Sequence, residues 1–339
     1  MRILYGVQTT GNGHLVRSAA LISALKEMGH SVYTLMSGDQ DKPISQPEAY
    51  QPYESRPGLT FVTSNGRIRY LKTLRQLRLY RFYRDIRSFS ARDFDLAVTD
   101  YEPLTSRIAR RNKIPSIGVG HLYAFAHPVP LPKKDPLGVS IMRIFAPADI
   151  PLGLHWHHFD RPILPPTVPK DVYSKNSPCE SRILVYFPFE SLERIRDFLR
   201  PFREFTFHIY VPGLSGPSEE ANLVWRPVSR KDFVEDLADC GGVMCNAGFS
   251  LISEALHVGR KVLAKPVSGQ VEQKANALAL RRLGLGWTMS RLDRGAVLDW
   301  LRLPSPEPRN YPDVLPRVAE WIHKGNWDRP QELADRLWS

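Results

Sequence analysis

The run from Cys245 to Gly259, Cys-Asn-Ala-Gly-Phe-Ser-Leu-Ile-Ser-Glu-Ala-Leu-His-Val-Gly, admits few structures. An apolar strand leads into it, a turn of small residues follows, and Gly248 and Ser250 open a helix. Lys261-Val262-Leu263-Ala264 then reads as a second strand, and a polar run from Gln270 to Ala277 lies at its C-terminal edge. A turn of this kind points free backbone N–H groups at whatever anion sits before the helix. Glu254, one turn further in, can accept hydrogen bonds from sugar hydroxyls. Together these features are the chemistry of a nucleotide-sugar site.

A related unit stands at the N-terminus. Residues 2–8 form an apolar strand, and the loop Thr9-Thr10-Gly11-Asn12-Gly13-His14 follows. Leu15, Ala19, Ile22, Leu25 and Met28 then recur at helical spacing up to Gly29, a natural helix stop. Ser31 to Met36 is the next strand. Strand, loop, helix and strand in this order imply a parallel sheet, with the loop at the C-terminal edge where open α/β sheets bind ligands. Gly11 and Gly13 alone say little, because any tight turn before a helix favours glycine. A dinucleotide fingerprint would want a small residue where Val16 stands, which argues against a nicotinamide enzyme.

At 339 residues the chain is expected to form two α/β domains. Pro162, Pro165, Pro166, Pro169 and Pro178 crowd the stretch from Phe159 to Cys179, which reads as a semi-rigid connector without regular structure. The expected domains are residues 1–165 and 166–339. The helical tail, with Trp321, Trp327 and Trp338, is expected to pack back onto the body. Three cysteines without a C-x-x-C pair argue against a disulfide framework. Since the chain starts directly on a strand, the expected location is cytoplasmic, including the inner face of the membrane.

Those two regions carry a resemblance. Thr10-Gly11-Asn12-Gly13-His14-Leu15-Val16-Arg17, Asn246 to Glu254 and Gln270 to Ala277 resemble the motifs of GT-B glycosyltransferases, with two tandem Rossmann-like domains facing each other across a cleft. The group that includes the lipid II-forming N-acetylglucosaminyl transferase (glycosyltransferase family 28-like) is the nearest likeness. The resemblance implies that Gly248, Phe249 and Ser250 sit at the donor diphosphate, Glu254 holds the ribose, and Glu272 and Gln273 face the transferred sugar. His14 and the Gly11–Gly13 loop would close over the reacting carbon from the other domain, with Asn12, Asn246 and Gln270 completing the donor site. Two positions depart from the pattern. Pro188-Phe189-Glu190-Ser191 lacks the phosphate-approaching glycines of relatives, and Glu272 replaces an amide, so the sugar need not be N-acetylglucosamine.

The remaining candidates follow from position. Imidazole titrates near neutrality, so His14 can take a proton from an incoming hydroxyl or can serve simply as a cap. Asp100 ends an apolar strand and either orients His14 or caps a turn. Arg17 either neutralises phosphate or is a surface residue. His121, at another strand end, is a candidate acceptor contact. His155, His157 and His158 lack a carboxylate or cysteine at ligand spacing and read as hinge packing, so neither a metal nor a cofactor is expected.

The net charge is +11, and residues 67–92 hold nine Lys or Arg against the single acid Asp85. Arg69 to Arg87 recur every third residue, so on a helix the charges wind around the cylinder beside Leu71, Leu74, Leu77, Tyr80 and Tyr83, and no wide apolar face results. Such a segment is either a solvated helix or a contact for an anionic membrane surface or lipid-linked acceptor. No nucleic-acid motif accompanies it, so nucleic acid is not expected as a partner. The expected function is inverting, metal-independent transfer of a sugar from a nucleotide diphosphate sugar, UDP-linked, to a hydroxyl of a lipid-linked or polyanionic glycan. The alternatives are a nucleotide-sugar hydrolase or 2-epimerase, and a non-catalytic nucleotide-sugar-binding subunit.

Overall fold

A computed structural model describes residues 1–9, 12–38, 47–59, 63–64, 67–68, 79–132, 135–175 and 177–339. Its first half runs β1 (Arg2–Gln8), α1 (Asn12–Glu27), β2 (Ser31–Ser37), β3 (Tyr53–Arg56), β4 (Thr63–Ser64), β5 (Arg67–Ile68), α2 (Leu79–Ser88), β6 (Leu96–Asp100), α3 (Pro103–Asn112), β7 (Ser116–Gly120), α4 (Pro136–Phe145), β8 (Ile150–Leu154) and β9 (Ile163–Leu164). The second half runs β10 (Cys179–Tyr186), α5 (Leu192–Leu199), β11 (Thr206–Val211), β12 (Ser218–Glu220), β13 (Leu223–Pro227), α6 (Arg230–Asp239), β14 (Cys240–Asn246), α7 (Phe249–His257), β15 (Lys261–Lys265), α8 (Val271–Arg282), β16 (Trp287–Thr288) and α9 (Arg294–Leu301), and ends in α10 (Val314–Lys324) and α11 (Pro330–Trp338).

Two seven-stranded sheets result. The first has the order β3-β2-β1-β6-β7-β8-β9 and is parallel throughout. The second has the order β12-β13-β11-β10-β14-β15-β16 and is parallel except at its edge, where β12 runs antiparallel to β13. Central strands such as β6 and β14 are buried along their whole length, because helices cover both faces of a parallel sheet. In both sheets the order turns back beside the first strand, and that reversal opens a crevice at the strands' C-terminal ends.

The last two helices return to the first sheet. Helix α10 packs along α1, where His323 Nδ1 meets His30 Nε2 at 3.1 Å, and the Trp338 indole donates to the Ile163 carbonyl at 2.7 Å.

Two elements differ from the sequence reading. The proline-rich connector contains a strand, β9, paired with β8. Its place at the sheet edge explains this, since prolines flanking an edge strand cost no ladder hydrogen bond. In the basic segment, Arg67–Ile68 is a strand paired with Thr63–Ser64, and a helix spans only Leu79–Ser88. Residues 69–78, with most of the three-residue repeat, lie outside the described residues. Within α2 an apolar stripe does exist. Phe82 and Ile86, four apart, are each 6% exposed against Ile108 and Ala109 of α3, whereas Tyr80 and Tyr83 are 83% and 60% exposed. The buried pair falls between the residues whose spacing had suggested a charge-wrapped cylinder.

Candidate active site

At the C-terminal edge of the first sheet, His14 projects from the first turn of α1 and Asp100 ends β6. His14 Nδ1 lies 2.8 Å from Asp100 Oδ1. Arg17, one turn along α1, grips the same carboxylate with both arms, Nη2 to Oδ1 at 2.7 Å and Nε to Oδ2 at 3.0 Å, and Ser18 Oγ donates to Oδ2 at 3.1 Å. Burial works to raise the Asp100 carboxyl, yet Arg17 and His14 together hold it below the usual range. It is therefore a fixed anion that orients the His14 ring through Nδ1, and Nε2 has no partner among the described residues. The His14 side chain is 21% exposed and Asp100 is fully buried, so the imidazole is the group a substrate can reach. Arg17, at 7% exposure, is occupied in this cluster.

Glu102 has a different task. It caps α3, accepting from Leu104 N at 2.7 Å and Thr105 N at 2.6 Å, and takes the Ser37 hydroxyl at 2.6 Å.

In the second sheet β14 ends at Asn246, and α7 begins after Gly248, whose position as N-cap brings no side-chain hydrogen bond to the helix. The first-turn N–H groups of α7 thus keep the anion-seeking character expected of them. Across the cleft stands the first turn of α1. The approach is close, since a Cβ on Gly13 would sit 2.6 Å from Ser250 Oγ, and glycine is what lets the two helix starts converge. Asn246 donates from Nδ2 to the Lys265 carbonyl at 2.9 Å, while its Oδ1 is buried with no partner among the described residues. Gly11 lies outside the described residues, as does the side chain of Asn12.

Other anticipated residues have settled partners. Phe249 does not offer its ring to a ligand, because the ring is buried in a stack between the two halves, 3.8 Å from the His121 ring and 5.2 Å from that of Trp156. His121 is likewise fully engaged. Its Nδ1 is 2.8 Å from the Leu154 carbonyl and its Nε2 2.7 Å from Asn276 Oδ1, so it has no nitrogen left for an acceptor. Gln273 accepts the Val267 N–H at 2.9 Å and shapes the loop before α8. Gln270 is the N-cap of α8, and Glu272 lies half-buried in its first turn, with its charge acting on Tyr101 and His121.

Glu254 is bridged by Arg230, Nη1 to Oε2 at 2.9 Å, and Arg230 in turn grips Asp171 through Nε and Nη2 at 2.9 and 2.7 Å. Burial raises the Glu254 carboxyl, against the pull of Arg230. Sequence reading missed Arg230, Asp171 and the Lys265–Glu190 ion pair, since nothing in their spacing marks residues brought together from separate elements and loops. The glycine-poor turn after β10 thus carries a carboxylate already paired with a lysine. Among the described residues no group of three or more His, Cys, Asp or Glu is placed to hold a metal ion, and no helix is long and apolar enough to cross a membrane.

Residues 1–304 match the family model described as glycosyl transferase family 1. The chain belongs to that family. No curated protein sequence matches this glycosyltransferase. Solved structures similar to it over 99% of the chain include the glycosyltransferase SnogD from Streptomyces nogalater (16% identity, 98% of that chain, TM-score 0.58), LpCGTa in complex with UDP (17%, 98%, 0.57) and SsfS6 from Streptomyces sp. SF2575 complexed with thymidine diphosphate (16%, 96%, 0.56). At such identities the likeness is one of fold, and the fold is GT-B.

Proposed function

We infer that this glycosyltransferase moves a sugar from a pyrimidine nucleoside diphosphate sugar, UDP-linked, to an acceptor hydroxyl with inversion at the anomeric carbon. One observation carries the reading: the first turn of α1, bearing a His14 oriented by a buried Asp100, faces the uncapped first turn of α7 so closely that a Cβ at position 13 would meet Ser250 Oγ at 2.6 Å. In this reading His14 Nε2 removes the acceptor proton, the acceptor oxygen bonds to the anomeric carbon, and the bond from that carbon to the diphosphate breaks. The departing diphosphate is met by the N–H groups of α7 and α1. One helix terminus contributes only about 0.3–1 kcal/mol, up to ~2 when partly buried. Two converging termini supply more than either can alone.

Asn246, Gly248, Ser250 and Gly13 would border the diphosphate, Glu254 with Arg230 the ribose, and Gln270, Glu272 and Gln273 the sugar. Two of the similar structures are complexes with UDP and thymidine diphosphate, which supports a pyrimidine donor. The acceptor in this reading is a lipid-linked or polyanionic glycan brought in by the basic segment 67–92, in keeping with the sequence likeness to the lipid II-forming group, with the enzyme working at the cytoplasmic face of an anionic membrane.

The test is calorimetric titration of UDP and TDP, followed by turnover of a panel of their sugars with and without vesicles bearing polyprenyl phosphate glycans. Submillimolar binding with acceptor-dependent nucleotide release is the expected result. Equal release without acceptor would instead identify a hydrolase, and no binding of either nucleotide would defeat the reading.

A further inference from the structure

The turn that seats the diphosphate belongs to the second half of the molecule, but first-half side chains hold it on three sides. Phe249, the first residue of α7, lies face to face with His121, the planes 3° apart and the centroids separated by 3.8 Å. Trp156 stacks against the same ring at 5.2 Å and 27°. The Trp156 indole donates to Ser253 Oγ at 2.8 Å, and that hydroxyl donates to the Phe249 carbonyl at 2.8 Å. On the other flank His121 Nε2 meets Asn276 Oδ1 at 2.7 Å, and Asn276 Nδ2 donates to the Ala247 carbonyl at 3.0 Å. The Ala247 carbonyl, the Phe249 ring and the Phe249 carbonyl are thus all tied to residues that follow β7 and β8.

We propose that His121 and Trp156 are positioning residues for sugar transfer, setting through Phe249, Ser253 and Asn276 the register between the α7 anion seat and His14. The proposal rests on the transferase reading above. Its physical basis is that base and leaving group sit on opposite halves, so a small displacement of one half's turn separates them, and a misplacement of about 1 Å can cost on the order of 100-fold in rate. General cohesion of the halves does not depend on these rings. Helix α10 along α1 and the Trp338 bond to Ile163 join them elsewhere. Loss of the stack therefore lets α7 shift locally. Most of the donor contacts in that reading lie on the second half and would shift with it, so binding should largely persist while the reaction slows.

The experiment compares His121→Ala, Trp156→Ala and His121→Phe with the wild type in kcat, donor KM and UDP affinity by calorimetry. The two alanine variants are expected to lose about 10- to 100-fold in kcat with UDP affinity within threefold of wild type. His121→Phe, which keeps a flat ring on Phe249, is expected to recover most of that loss. A kcat within twofold in the alanine variants, or a parallel loss of kcat and UDP affinity, would overturn the proposal. Amide hydrogen exchange along α7 is read in the same variants. It should quicken in His121→Ala, and unchanged exchange overturns the proposal independently of any turnover. A wild type that binds and turns over no nucleotide sugar refutes the transferase reading, while the exchange result still decides whether the rings hold α7.

Discussion

Asp100 Oδ1 lies 2.8 Å from His14 Nδ1 and 2.7 Å from Arg17 Nη2, so one buried carboxylate both orients the cleft imidazole and neutralises a buried guanidinium. Asp100→Asn should cost both functions. A base left in the wrong tautomer or orientation forfeits part of the ~10²–10⁴-fold worth of general base catalysis, and kcat is expected to fall about 100-fold. Breaking a buried pair from one side costs about 3–5 kcal/mol, which a denaturant melt will read.

The same contact has a pH signature. Arg17 and His14 hold the Asp100 carboxyl below its ordinary value against the effect of burial, so its contribution to stability is present above the unfolded value of about 3.9 and is lost as pH falls through the folded one. Wild type should therefore exceed Asp100→Asn in stability by the full margin at pH 6, and the gap should narrow below about pH 4. A constant gap between pH 6 and pH 3 in urea melts would show that the carboxylate is not the source.

Arg230→Ala isolates the Glu254 carboxylate. Burial already raises this group, and Arg230 is what opposes the rise. Because Arg230 is 41% exposed and screened by water, the cost is about 1 kcal/mol. Its sign with pH is fixed. An acid with a raised folded value destabilises the protein as pH climbs through that value, so the deficit should be larger at pH 8 than at pH 5. Adding Glu254→Gln should restore most of the melting temperature at pH 8.

Much of this organisation is legible in the sequence. Apolar runs with no alternation, such as Leu96 to Thr99, mark strands covered on both faces, and the small residues after Cys245 mark a strand-to-helix turn, because both are dictated by local sterics. The His14–Asp100 pairing could be suspected because each residue ends an element at the same sheet edge. What local pattern could not supply was the partner of a ring or an ion across the molecule. The Phe249 ring is open to a donor on local pattern alone until His121 and Trp156 arrive from 128 and 93 positions earlier in the chain to enclose it. Arg230 and Glu254 meet only in the folded chain, since α6 follows β13 and α7 follows β14, strands that β11 and β10 separate in the sheet.

Gly13 tests how tightly the two helix starts approach. A branched side chain there meets Ser250 Oγ and overpacks the seam, a class of change that costs about 1–3 kcal/mol. Gly13→Val should lower kcat/KM by about tenfold, the kinetic equivalent of 1.4 kcal/mol. Gly13→Ala should cost less, because a serine hydroxyl can rotate away from a single methyl group. Combining Gly13→Val with Ser250→Gly should recover part of the loss, and strictly additive effects would mean that the two residues do not meet.

The helix of the basic segment separates folding from recognition along its own length. Phe82 and Ile86 pack into the cluster formed by Leu104, Ile108 and Ala109, whereas Tyr80 and Tyr83 face outward. Phe82→Ala should therefore cost about 3–5 kcal/mol in a denaturant melt. Tyr80→Ala and Tyr83→Ala should remain within about 0.5 kcal/mol of wild type. If the exposed tyrosines and the arginines beside them serve an anionic acceptor surface, Tyr80→Ala combined with Arg84→Ala should weaken sedimentation with vesicles containing phosphatidylglycerol while leaving the melt and UDP binding untouched. Unchanged vesicle binding would remove this helix from acceptor recognition and leave it a structural cover for the sheet.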